Sequence, residues 1–408
     1  MTAHRLAAGG AACFLAASMF SHSVALRLLL LAGTAALLVV TAVQDRAAIR
    51  FLPPLWLAYA AWAAWAALSL AWSIDVERSL KEFRNEILYT ALAFWACFAA
   101  AQARGAARIV LPVVGLAAAT ACGFAFYSYT RGWEQYLVGR HGGPGDHSSA
   151  LLVLMPCAVA TAWYARRAAW PTACQVVPVL LAALFLAAAW AAQSRTFWLA
   201  LAAQVLSVIL LVAVLPPARA KARRAAMAAL VAAAVVLAAV AMTLHVQSAR
   251  EATGARALHQ DPRFPLWTEV AEKIQEKPWT GYGFGRGMLR GGLRDELKEV
   301  QLWHAHNLFL DTALQLGLPG VALLLALLAA TLREGWRLAR EPSAAAAACG
   351  VALLAVVVGM LVRNMTDVLL VRQNALLYWG AIGVLLAWGA GQRASLAAKA
   401  GVLRHPAA

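Results

Sequence analysis

Charged residues are scarce in this sequence. Asp, Glu, Lys and Arg together make up 13% of its 408 residues, roughly half the share of an ordinary soluble domain. Acidic residues are the rarer kind, 19 against 35 basic, which leaves a formal net charge of +16. Apolar residues fill the gap, at 62% of the chain with a mean hydropathy of +0.68, and this excludes a soluble globular protein. Cysteine is sparse as well. Cys13, Cys97, Cys122, Cys157, Cys174 and Cys349 sit in apolar stretches with no CxxC pair, so they read as small core residues and neither as a metal site nor as a disulfide framework. No GxxxxGK[ST] loop occurs, which disfavours nucleotide binding, and the first apolar run ends at Phe20-Ser-His-Ser without a small-residue cleavage site, so it reads as an uncleaved span.

What the chain has is length of apolar run. A hydrocarbon core about 30 Å thick takes about 20 residues of helix to cross. Twelve such stretches are found, near 6–21, 25–43, 53–72, 87–103, 109–128, 149–165, 173–192, 196–215, 225–244, 306–332, 347–363 and 373–391. The expected fold is an all-α polytopic membrane protein of about 12 transmembrane helices with a long periplasmic loop that holds short helices. Its parts are helices 1–9 over 1–244, the loop with an amphipathic helix over 245–305, a broken helix 10 with helices 11 and 12 over 306–391, and a tail over 392–408. Twelve spans put both termini on one side, whose loops hold 17 basic residues against Asp45, Glu334 and Glu341. The positive-inside rule makes that side cytoplasmic. The other side carries the remaining 18 basic and 16 acidic residues. Nearly all of the net charge is therefore orientation signal, and nucleic acid is not an expected partner.

Chemistry is expected on the balanced face, in its three longer segments. Residues 73–86 mix charge with Ile74, Leu80 and Phe83, as an amphipathic helix on the membrane would. Asp75-x-Glu77 there is either an acidic metal pair or, the stronger reading for an isolated pair, a solvated helix face. Residues 139–149 form a Gly/Pro turn in which Arg140 could meet an anionic headgroup. The hairpin Gln193-Ser194-Arg195-Thr196 puts an arginine at its tip, either snorkelling to lipid phosphates or joining its hydrogen-bonding neighbours in binding an anion. In the long loop, Leu266, Val270 and Ile274 recur at helical spacing and Pro278 stops that helix. Gly281, Gly283, Gly285 and Gly287 then alternate with Tyr282, Phe284 and Arg286, a flexible loop whose aromatics could dip into the interface. The many tryptophans of the third span, Trp56, Trp62, Trp65 and Trp72, read as an interfacial belt.

The segment from His304 to Gly320 is the most informative. After Pro319 the apolar run to Leu332 reaches only about 20 Å at 1.5 Å per residue, too short to cross alone. The tenth span must be broken, with Gly317 ending one short helix and Pro319 opening the next. Asn307, Asp311 and Gln315 then share one face at i, i+4 and i+8, and a broken helix with a polar face at membrane depth lines a cavity. His306 stands at its rim. His304-x-His306 as a metal pair is weak, because no comparable third ligand is near in sequence. A histidine that merely caps the helix is the stronger structural alternative.

At these residues the chain resembles a known family. His306-Asn307, nine residues, then Gly317-Leu-Pro-Gly320 is similar to the H-[NSQ]-x9-G-x-x-G pattern of bacterial O-antigen ligases and their related polymerases. Gln-Ser-Arg195-Thr resembles that family's S-R-[TG] element, and Arg263, Trp267, Pro278 and the glycine run resemble its R-x-x-x-W stretch with the glycine-rich loop that follows. The turn Gly145-Asp146-His147 departs from the Asn-rich version of relatives, so no role is carried onto it. The resemblance implies a GT-C-like glycosyltransferase of the bacterial inner membrane, with its active site facing the periplasm. The donor is an undecaprenyl-diphosphate-linked glycan, the acceptor a hydroxyl of the lipid A core, and the surroundings membrane lipids. On that reading His306 is the catalytic base, Arg195 and Arg263 bind the diphosphate, and Asn307, Arg140, Trp267 and Asp311 are secondary candidates. Trp267 is expected to pack and Asn307 to orient the imidazole or to start the helix. No cofactor and no metal is implied.

The chemistry of those residue types agrees with that implication. Guanidinium pairs a diphosphate bidentately and cannot lose its charge, and a neutral imidazole can take the proton of a poor hydroxyl nucleophile. Competing readings are an O-antigen polymerase, a protein O-oligosaccharyltransferase and, from a different class, a twelve-span secondary transporter. Against transport stand the missing internal repeat and the clustering of ionisable residues at the outer rim.

Overall fold

Apolar runs without breakers form helices in a membrane, because hydrocarbon offers no partner to an unpaired N–H or C=O. The computed structural model describes residues 3–45, 49, 53–131, 143–192, 194–214, 263–297 and 304–404, and among these all regular structure is helical. The helices are α1 (Ala3–Ala17), α2 (Val24–Gln44), α3 (Trp56–Leu68), α4 (Val76–Glu82), α5 (Tyr89–Ala100), α6 (Ala107–Arg131), α7 (Pro144–Arg167), α8 (Thr172–Ala191), α9 (Arg195–Val214), α10 (Arg263–Glu276), α11 (Arg290–Leu297), α12 (Leu308–Ala339), α13 (Ala344–Arg363) and α14 (Arg372–Arg404).

Seven of them are long and apolar enough to cross a membrane: α2, α6, α7, α8, α12, α13 and the part of α14 over Arg372–Gln392. The expected spans 6–21, 53–72, 87–103 and 196–215 are also helical, as α1, α3, α5 and α9. Helix α3 tightens into a 3-10 turn at Ser69–Trp72, and a π turn, Phe83–Leu88, leads into α5. The ninth expected span, 225–244, lies outside the described residues, as does Arg140.

Helix α14 runs through the middle of the bundle against α5, α13 and α7, and its membrane stretch is the most buried of the seven. Small residues allow the close crossings that helices in lipid depend on. A Cβ at Gly383 of α14 would stand 2.6 Å from the Phe94 carbonyl oxygen of α5. Around this centre α12 packs on α13 and α3, while α13 also meets α7 and α9. A second, smaller core forms where Leu266 and Val270 of α10 meet Tyr282, Leu293, Ala305 and Leu314, with Ile274 packed against it. The apolar stripe of α10 thus faces the start of α12.

Candidate active site

The break in α12 is the local feature from which the site is built. Gly317 has φ +68 and ψ −174, outside the helical region, and a Cβ there would stand 2.5 Å from the carbonyl carbon of Trp279. Ending a helix inside a protein strands its last carbonyls. Here the glycine run satisfies them. Tyr282 N–H donates to Leu314 O at 2.9 Å, Gly283 N–H to Gln315 O at 3.0 Å, and the Trp65 indole to Leu316 O at 3.0 Å. The glycines at 281, 283, 285 and 287 all have positive φ, which lets the strand of loop lie flat on the helix end. Tyr282 and Phe284 are each 6% exposed, so the expectation that they dip into the interface is corrected: they pack inward. Trp72 donates to Thr280 O at 2.9 Å, ahead of the loop, and Trp65 to the end of the half-helix, so these two indoles are turned to the protein.

The polar face of the first half-helix is consumed in the same way. Asp311 is 2% exposed, with Oδ2 accepting from Gln315 Nε2 at 2.6 Å and Oδ1 from Ala305 N–H at 3.3 Å, while Gln315 Oε1 accepts from Gly285 N–H at 2.8 Å. Asp311 is therefore a positioning group that ties the His304–His306 segment to the helix, and Trp267 does the same by donating to Ala305 O at 2.9 Å. Asn307 starts the helix. Its Oδ1 accepts from Phe309 and Leu310 N–H and its Nδ2 donates to Met365 O, so it caps the helix and leaves the imidazole alone. Asp75 likewise caps α4 by accepting from Arg78 N–H at 3.0 Å, which gives that acidic pair its solvated-helix reading.

His306 adopts φ +47, a left-handed conformation that histidine tolerates better than most residues but that still costs energy. The turn stacks its ring on His304 with centroids 3.8 Å apart and points Nδ1 at Asp367 Oδ1, 3.3 Å away. Asp367 arrives there through Asn364, at the end of α13. Asn364 accepts from Leu369 and Leu370 N–H and folds the 364–371 loop back over the start of α12, where Leu308 N–H reaches Asn364 O. Burial alone would raise the Asp367 carboxyl, but the His306 ring beside it, the Val368 N–H and Arg363 outweigh it and hold it well below the usual carboxylate range. Burial, with the Arg286 cation and the His306 ring beside it, lowers His304 to about 3 and keeps it neutral.

Cations surround this pair. Arg363, 4% exposed, lies within electrostatic reach of Asp367, Asp146 and Arg263, and its Nε has no hydrogen-bond partner among the described residues. Arg286 donates to Val368 O at 3.1 Å and lies within electrostatic reach of His304, Asp311, Glu86 and Asp146. Arg263, the first residue of α10, joins the group through Arg363, while Arg195 opens α9. Asp367, Arg363 and Arg286 were missed as site residues in the sequence. The available signal was a charged Arg363-x-x-x-Asp367 pair at the end of an otherwise apolar span.

Asp367 brings a third ligand-type side chain to His304 and His306. His304, His306 and Asp367 offer ligand atoms within 4.8 Å of one another. The donor set fits a metal poorly: His304 Nδ1 already accepts from His306 N–H at 3.0 Å, and stacked imidazoles do not converge their lone pairs on one point.

Residues 179–325 match the family model described as O-antigen ligase. The matched stretch contains the Arg195 hairpin, α10, the glycine run, His306 and the break at Gly317, and in it the chain is similar to the O-antigen ligase superfamily, which covers ligases and related polymerases. Arg363 and Asp367 lie beyond it. No curated protein matches the chain.

Proposed function

We propose that the protein transfers a glycan from undecaprenyl diphosphate to a hydroxyl of the lipid A core at the periplasmic leaflet of the bacterial inner membrane. The observation that carries this reading is the His306–Asp367 pair at the head of a broken helix, flanked by buried arginine. With its Nδ1–H turned to the Asp367 carboxylate, the imidazole presents Nε2 as a proton acceptor. The acceptor hydroxyl gives its proton to Nε2 as its oxygen attacks the anomeric carbon. The bond from that carbon to the diphosphate oxygen breaks, and undecaprenyl diphosphate leaves with one more negative charge. Arg363, Arg286, Arg263 and Arg195 meet that charge, and arginine suits this role because its protonation does not change during the step. One displacement inverts the anomeric centre, and no metal is needed where guanidinium supplies the positive charge. Arginine-rich loops on the terminal side favour cytoplasmic termini and a periplasmic site.

The test is transfer by purified protein given a lipid-diphosphate glycan and a choice of acceptors. Glycan on lipid A core supports the reading. Longer carrier-linked chains mean a polymerase, glycan on protein means an O-oligosaccharyltransferase, and no covalent product overturns group transfer altogether.

A further inference from the structure

At the opposite end of the bundle from His306, where α1, α5, α6, α7, α13 and α14 meet, lies a partly open cavity of about 610 Å³. This falls within the roughly 300–1,000 Å³ range of ligand pockets. Its walls are apolar side chains such as Phe98, Val110, Leu154, Ala348, Leu385 and Trp388, with Gln102, Thr161 and Tyr164 toward one end. Nothing in the transfer chemistry uses it.

We infer that this cavity holds an acyl chain of one anionic phospholipid, whose headgroup rests on the arginines at its rim. Two observations identify the occupant. First, the medium around an apolar cavity in a membrane protein is acyl chain, which is as apolar as leucine, so a lipid tail fills such a space without desolvating anything. Second, the turns that border it are basic. Arg104 lies between the lining residues Ala103 and Gly105, Arg108 follows the lining residue Ala107, and Arg166 stands two residues past Tyr164. Arg104 and Arg166 are exposed, and Arg5 Nε holds the first turn by donating to Arg104 O at 3.2 Å. Neither turn, 101–108 or 164–171, contains an acidic residue, and only Glu341 in the 340–345 turn opposes them. Basic pockets between helices recognise anionic headgroups, whereas a zwitterionic headgroup gains little there.

The full-length protein, delipidated in detergent and mixed with phosphatidylglycerol or with phosphatidylethanolamine of the same chains, is read by native mass spectrometry. One phosphatidylglycerol is expected to be retained in preference to phosphatidylethanolamine. Arg104→Ala with Arg108→Ala lowers that preference about tenfold. Ala348→Phe, which fills the cavity from within, removes retention of both lipids, with monodispersity and melting temperature as the check on folding. Equal retention of the two lipids overturns the proposal, as does a preference unmoved by the double arginine variant. A folded Ala348→Phe protein that keeps phosphatidylglycerol overturns the cavity as the place of the chain.

Discussion

At one end of the bundle Arg104 and Arg166 lie exposed on short turns that contain no acidic residue, and at the other Arg363 is buried within electrostatic reach of Asp367, Asp146 and Arg263. The same side chain is used twice in opposite settings. An exposed guanidinium keeps its water and is screened, so it votes on orientation and suits a lipid headgroup better than a reacting group. A buried one has lost its water at a cost of several kcal/mol and persists only where neighbours hold it, which makes it available to a charge that appears during a reaction. Number of arginines therefore says little about function in this chain, and depth says a great deal.

That contrast can be broken or sharpened by substitution. The largest effect is expected from His306→Ala, a loss of about a thousandfold in glycan transfer with normal expression and melting temperature. Full activity in that variant would remove the general base. Next, Arg363→Gln lowers transfer about a hundredfold, while Arg104→Gln at the other end stays within about twofold of the parent. Equal losses in the two would erase the distinction between buried and exposed arginine. Asp367→Asn follows, with a loss of about tenfold or more. Undiminished transfer in that variant would reduce Asp367 to a structural tie. Gly317→Ala acts on the scaffold, forcing a Cβ against the Trp279 backbone at positive φ, and thermal melting in detergent should show a destabilisation of roughly 2 kcal/mol or more. The smallest effect is expected from EDTA, which leaves transfer unchanged. Activity lost to the chelator and restored by Zn²⁺ would put an ion in the His304, His306, Asp367 triad.

Legibility in the sequence followed the range of the physics involved. Periodicity and punctuation are local, so the apolar stripe Leu266, Val270, Ile274 and the break between Gly317 and Pro319 could be read directly and are found as read. The helical nature of the chain and seven of its spans were legible for the same reason. Partners distant in sequence were not. Asp367 stands 61 residues from His306, and its approach depends on Asn364 turning a loop, which no local pattern reveals. Tyr282 and Phe284 were misplaced because alternating glycine looks flexible in sequence, while in the fold the glycines are what lets the loop lie against a helix end. Trp65 and Trp72 misled similarly, since an indole suits a lipid headgroup and an orphan carbonyl equally well.

The glycine loop has one more consequence, for how this protein can vary. Backbone amides that cradle phosphate, as in nucleotide-binding loops, cannot be edited one at a time, because every residue carries the same N–H. Here Tyr282, Gly283 and Gly285 have their N–H groups engaged with Leu314, Gln315 O and Gln315 Oε1. On the proposed function, anion recognition is thereby left to individual side chains, each of which a single codon can add, remove or relocate while the helix end stays capped. Donor preference in such a design can drift independently of the fold that supports it.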